Sequence, residues 1–242
     1  MSNFLRYKSI IFVSDLNIYA RGFQRLVEIK KLFKNVYSIS HTRITTSGSI
    51  SAPSILYRLT NKLSLPVDNQ FSGYTILKKL KSAQVDFVWI ENGVMIYPWI
   101  LKKIKEISPN TVLISFSEDD TFAKHNSSVW YRKGLMSYDF TITTKPLNIK
   151  ELKLYGAKNL KIFPNTFFSF LHKKYKLKNS DLRKYKTDVS SIGAYEKERA
   201  DSLKFLAING IKIVVWGSGW SSLKTFNKNL IIKNRYLFSE EY

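Results

Sequence analysis

The chain has 242 residues, 44% of them hydrophobic and 24% charged, with no cysteine and a formal net charge of +21. That composition excludes wholesale disorder, a disulfide framework, a thiolate metal site and a cysteine nucleophile. No apolar run reaches the roughly 18 residues that a membrane helix needs.

The apolar run Ser9–Val13 follows Arg6 and Lys8, but it is too short for a signal peptide and Asp15 interrupts it. Residues 8–14 instead predict a first core strand. Residues 21–34 predict a helix, with Phe23, Leu26, Val27, Ile29 and Leu32 at helical spacing. Residues 35–40 are a short second strand. The polar stretch 41–69 holds one helix near 52–63, and 71–83 is another helix. VDFVWI (85–90) is continuously apolar, as suits a buried parallel strand. Pro98 opens a helix over 98–107. TVLISF (111–116) is a strand, 127–138 a helix and FTITT (140–144) a strand. Residues 148–155 form a short helix closed by Gly156, and 160–163 a strand stopped by Pro164. The basic stretch 171–187 has no apolar periodicity and predicts a linker. The alternation then restarts, with a strand at 188–193, a helix at 195–209 and a strand at 211–216.

Alternating strands and helices predict an α/β fold with parallel sheets and right-handed crossovers. The boundaries read as a Rossmann-like N-terminal domain over 1–170, a basic linker over 171–187 and an incomplete second Rossmann-like domain over 188–242. In such folds ligands bind beyond the carboxyl ends of the strands. After the first strand come Asp15, Arg21 and Gly22. Gly22 near the helix start would let a substrate approach the backbone, although a plain turn capped by Asp15 or Asn17 reads equally well. Glu91 ends the VDFVWI strand. After TVLISF, the cluster Glu118-Asp119-Asp120 suggests a tuned general base, or else a solvated, capping loop. His125 lies a few residues further on, where it could meet a substrate; His41, His125 and His172 lack metal spacing. After residues 188–193, Gly193 could cradle a phosphate with Arg199 adding charge, and Gly217-Ser218-Gly219-Trp220 makes a close-approach loop whose Trp220 offers a flat face to a base or sugar. Neither a P-loop nor a dinucleotide fingerprint is present.

The stretch TDVSSIGAYEKERADSLKFLAINGIKIVVWGSGW (187–220) resembles the start of the second domain of CgeB-type, spore-maturation-like glycosyltransferases, and YDFTITTKPLNIKELKLYGAKNLKIFPNTF (138–167) resembles part of their first domain. The resemblance covers about 85–220 and, more weakly, 8–34. It implies a GT-B fold of two Rossmann-like domains with a cleft between them. It also implies glycosyl transfer from a nucleotide-sugar donor to a glycan or lipid-linked acceptor, with no tightly bound cofactor and no metal. By the same resemblance Gly193, Arg199, Gly217, Gly219 and Trp220 lie at the donor. Glu118 and Asp119 lie on the acceptor side as candidates for the base. The family continues with further βα units, so the second domain here is expected to be incomplete.

Lysine supplies 30 of the 39 basic residues, so the charge predicts diffuse attraction to polyanions rather than bidentate readout, which favours arginine. Compositional drift explains the charge as readily. With the resemblance, the expectation is a cytoplasmic protein in peripheral contact with an anionic membrane. Two other readings stand beside it. One is a degenerate, non-catalytic binding protein. The other, which no motif supports, is nucleic-acid binding through 171–187, where Tyr175 and Tyr185 interleave with lysines.

Overall fold

A computed structural model describes residues 3–44, 55–124, 126, 128–223 and 227–237. The chain divides into two compact units, Met1–Phe168 and Ser169–Tyr242.

The first unit carries a six-stranded parallel sheet. Its strands are β1 (Ser9–Ser14), β2 (Asn35–Ser40), β3 (Phe87–Glu91), β4 (Val112–Ser117), β5 (Phe140–Thr143) and β6 (Lys161–Ile162), in the order β2-β1-β3-β4-β5-β6. The helices between them are α1 (Arg21–Leu32), α2 (Ile55–Lys62), α3 (Ser72–Ser82), α4 (Pro98–Ile107), α5 (Val129–Gly134) and α6 (Ile149–Leu154). The predicted helix over 127–138 is α5 followed by a 3-10 turn over Leu135–Ser137. Right-handed crossovers dictate where these helices lie. The connection β1→β2 runs one way along the sheet and β3→β4→β5→β6 the other, so α1 covers the opposite face from α4.

The core shows the same division. Ile11, Val13, Val88, Ile90 and Leu113 point to one face and cluster with Ile76, Leu77 and Leu80 of α3 and Ile100, Leu101 and Ile104 of α4. Strand alternation sends Ile10, Phe12, Trp89 and Phe116 to the other face, toward α1. The amino end of the sheet is tied down by Asp86, which accepts from Lys8 Nζ (2.8 Å) and Ser9 N (2.8 Å). Burial works to raise the Asp86 pKa, but these donors outweigh it and hold the carboxyl below its ordinary value.

The second unit has three parallel strands, β7 (Val189–Ile192), β8 (Ile213–Trp216) and β9 (Leu230–Lys233), in that order, with α8 (Lys197–Ile208) joining the first two. Ala200, Leu203 and Ala207 of α8 pack on Ile213, Val215, Trp220 and Leu230. The basic stretch read as a linker holds a further helix, α7 (Asn179–Tyr185). No residue of α7 is buried, so apolar periodicity could not reveal it. Its signals are electrostatic: Asp181 in the first turn accepts from Lys178 N (2.8 Å), and Arg183 and Lys184 occupy the last turn.

Candidate functional site

In the first unit the strand order reverses between β1 and β3, and ligands of open α/β sheets bind at such a reversal. Glu91, the last residue of β3, stands there and is only 2% exposed. Its Oε1 accepts from Arg25 Nε (2.5 Å). Its Oε2 accepts from Arg25 Nη2 (2.8 Å) and from Ser14 Oγ at the end of β1 (2.6 Å). Glu118, just after β4, accepts from Arg25 Nη2 (3.1 Å) and Arg21 Nη1 (3.0 Å). The ends of three strands are thus held together by two arginines one turn apart on α1. Arg25 also lies 4.9 Å from the Phe116 ring centroid, a cation–π distance.

Burial raises the Glu91 pKa, against the opposing pull of Arg25 and Ser14. Burial by itself lowers that of Arg25, but its bonds to Glu91 and Glu118 outweigh this and raise it. The arrangement is a buried charge-assisted clamp, and Glu118 is committed to it. That corrects the expectation of Glu118 as a general base: both of its oxygens already accept from guanidinium groups. Asp119 is exposed and accepts from Asn92 Nδ2 (3.1 Å), so of the two it is the carboxylate open to a substrate. Asp120 turns inward, accepting from Phe122 N, Ala123 N and Asn148 Nδ2.

Asp15 organises its own loop, accepting from Asn17 N (3.0 Å), Asn17 Nδ2 (2.7 Å) and Thr42 Oγ1 (2.7 Å). Gly22 leaves no room for a substrate. A Cβ there would lie 1.9 Å from Ser14 Oγ and 2.4 Å from Asp15 O, so the missing side chain lets α1 close onto the end of β1. His125 lies outside the described residues. His41 follows β2 and donates its backbone N–H to Ser14 O (3.2 Å). Its Nδ1 is buried without a hydrogen-bond partner, and burial lowers the imidazole pKa despite Asp15 and Asp68.

Sequence reasoning missed Arg25, the centre of the clamp. The signal was available: Arg21 and Arg25 sit four residues apart on one helix in a chain whose basic residues are mostly lysine.

In the second unit Gly193 and Gly217 follow the adjacent strands β7 and β8. A Cβ on Gly217 would lie 1.9 Å from Gly193 O, and Gly217 has φ +147°. The two loops therefore touch through bare backbone. Gly219 is left-handed (φ +78°) and turns the chain into Trp220. Trp220 is fully buried: Nε1 donates to Gly193 O (2.8 Å) and the ring meets Tyr195 edge-on at 5.3 Å. It is a core residue and presents no face to a base or sugar, contrary to the expectation. Arg199 folds over this loop, donating to Ala194 O and pairing through Nη2 with Glu196 (3.2 Å). A cation thus lies beside the backbone of Gly193 in the first turn of α8, with a carboxylate of the same loop paired to it.

Among the described residues, no group of three or more His, Asp or Glu could hold a metal ion. No described helix is long and apolar enough to cross a membrane.

No protein-family model and no curated protein matches the chain. Among solved structures, it is similar to an alpha-glucosyltransferase in complex with UDP-glucose and DNA containing an abasic site. That alignment has a TM-score of 0.53 and 13% identity over 94% of this chain and 67% of that one. It also aligns with Phytolacca americana UGT2 complexed with UDP-2fluoro-glucose and pterostilbene, at a TM-score of 0.46 and 10% identity over 98% of this chain and 72% of that one. The parallel sheets and the first of these likenesses define the class: an α/β, Rossmann-like fold of GT-B type.

Proposed function

We propose that the protein is a glycosyltransferase, and within that class of the CgeB type, using a nucleotide-sugar donor. The observation that carries this is the fold likeness to a glucosyltransferase whose complex holds UDP-glucose. The donor diphosphate would lie at the Gly193–Glu196 loop, where Arg199 and backbone N–H groups can stabilise the leaving charge. Asp119, exposed just after β4, would accept the proton from the acceptor hydroxyl.

The test is calorimetric titration with UDP-, GDP- and dTDP-sugars. Saturable binding lost on Arg199→Ala supports the reading. No binding of any nucleotide sugar refutes it and favours a non-catalytic protein that keeps only the fold.

A second reading has its own support: the charge of +21, beside a fold neighbour bound to DNA. It predicts DNA affinity that falls steeply with salt and is insensitive to Arg199→Ala.

A further inference from the structure

The positive charge is concentrated at the start of the second unit. Residues 169–187 hold seven Lys or Arg side chains and one acid, Asp181. That stretch is under a tenth of the chain and carries more than a quarter of its net charge of +21. Asp181 is spent on the first turn of α7, where it accepts from Lys178 N (2.8 Å). All seven basic side chains are exposed. Large apolar side chains stand exposed among them: Phe170 (67%), Leu177 (63%) and Leu182 of α7 (46%). Taking such side chains out of water is favourable, and the fold itself leaves them in it.

Charge alone suits any polyanion, and the side chains between the lysines narrow the choice. A sequence-tolerant nucleic-acid groove offers aromatic faces to successive bases. Here each ring already has a cation on it. Lys173 Nζ lies 5.5 Å from the Tyr175 ring centroid and 5.2 Å from that of Phe170. Tyr175 also donates its hydroxyl to Leu171 O (3.0 Å). Tyr185 packs on the core of the second unit, its ring 5.8 Å from that of Trp216, and Lys184 Nζ lies 4.8 Å from its centroid. The exposed leucines have no π-face for a base and gain nothing from a phosphate backbone. They gain from the apolar boundary of a bilayer. Six of the seven cations are lysine, a compact point charge that suits mobile headgroups rather than fixed bidentate partners. A cluster of about four to eight Lys or Arg on an amphipathic segment is the pattern that binds anionic lipid.

We propose that the stretch 169–187 docks the protein on an anionic phospholipid bilayer, with Leu177 and Leu182 entering the acyl boundary and the lysines meeting the headgroup phosphates. The proposal goes beyond the transferase reading and stands without it, because adsorption to a bilayer needs no nucleotide sugar.

The full chain is sedimented with phosphatidylcholine vesicles, with and without about one third phosphatidylglycerol. The expected result is binding to the anionic vesicles alone, weakened steeply by salt. Lys174→Gln with Lys176→Gln and Lys186→Gln should weaken it by about tenfold or more. Leu177→Ser with Leu182→Ser keeps every charge and should weaken it by about fivefold or more. In Leu177→Trp the added indole, read as the difference from the parent chain, should shift its emission to the blue on anionic vesicles and be quenched by brominated acyl chains. All these side chains are exposed, and circular dichroism checks that each variant is folded. Four results would overturn the proposal. The first is no binding to anionic vesicles. The second is vesicle binding that the leucine variant keeps in full, which would mean bare attraction of the net charge to any anionic surface. The third is an added indole that lipid does not quench on vesicle-bound protein. The fourth is single-stranded DNA bound at a salt concentration where anionic vesicles are released, with an affinity that the lysine variant loses and the leucine variant keeps; that would assign the stretch to nucleic acid.

Discussion

Gly22→Ala tests how closely α1 must seat on β1. The added methyl would sit 1.9 Å from Ser14 Oγ, 2.4 Å from Asp15 O and 2.7 Å from Ser14 Cβ. Two of these atoms cannot rotate away, so either the helix or the strand end must move. Overpacking of this kind costs about 1–3 kcal/mol. Displacing Ser14 Oγ also breaks its 2.6 Å bond to Glu91, a bond to a charged acceptor worth roughly 1.5–3 kcal/mol. Against this stands a gain of at most about 1 kcal/mol, because alanine is the better helix former. The net loss is about 2–4 kcal/mol. At roughly 2–4 °C per kcal/mol for a unit of this size, the melting transition should fall by about 4–16 °C. Scanning calorimetry of the full chain measures it. A variant as stable as the parent, or more stable, would refute both the close approach and the role of Ser14 in the clamp.

Three further outcomes follow from the same geometry. Glu91→Gln leaves Arg25 with Glu118 alone and should lower stability at neutral pH by about 1–3 kcal/mol, the lower part of the range for a broken buried pair, read from the urea midpoint. Because the folded pKa of Glu91 lies above its ordinary value, its contribution to stability declines as pH rises through that window. The gap between parent and variant should therefore narrow as pH rises above the ordinary carboxylate range, and a widening gap would contradict the buried placement. Trp220→Phe removes the bond to Gly193 O and some packing, and should destabilise the second unit by roughly 2 kcal/mol by thermal melting; an unchanged transition would return Trp220 to the surface. Asp119→Asn should change stability by less than about 0.5 kcal/mol, since the side chain is exposed. Once a donor and acceptor are found, the same change should cost about 10²–10⁴ in rate; full activity would remove Asp119 as the base.

Much of the fold could be read from periodicity. The helix over 98–107 and the strand over 35–40 match α4 and β2, because an N1 proline and short apolar alternation are local signals. Helix α7 escaped because nothing on it is buried, and β9 escaped because Leu230–Lys233 is four residues among polar neighbours. Residue chemistry placed Glu91, Glu118 and Arg21 at strand ends or a helix start, where they are found. It could not tell an open carboxylate from a clamped one. That distinction needs Arg25, which reaches Glu91 across 66 positions of sequence and Glu118 across 93.

The sequence by itself determined the alternation of strands and helices, the charge, the absence of thiol chemistry and the glycines at the strand ends. These are local properties, carried by side-chain period, composition and turn residues. Only the tertiary structure decided that Gly22 makes room for Ser14 rather than for a substrate, and that Trp220 serves the core rather than a ligand. Each of these depends on which strand neighbours which, and the order β2-β1-β3 is fixed by crossovers that bring together residues dozens of positions apart.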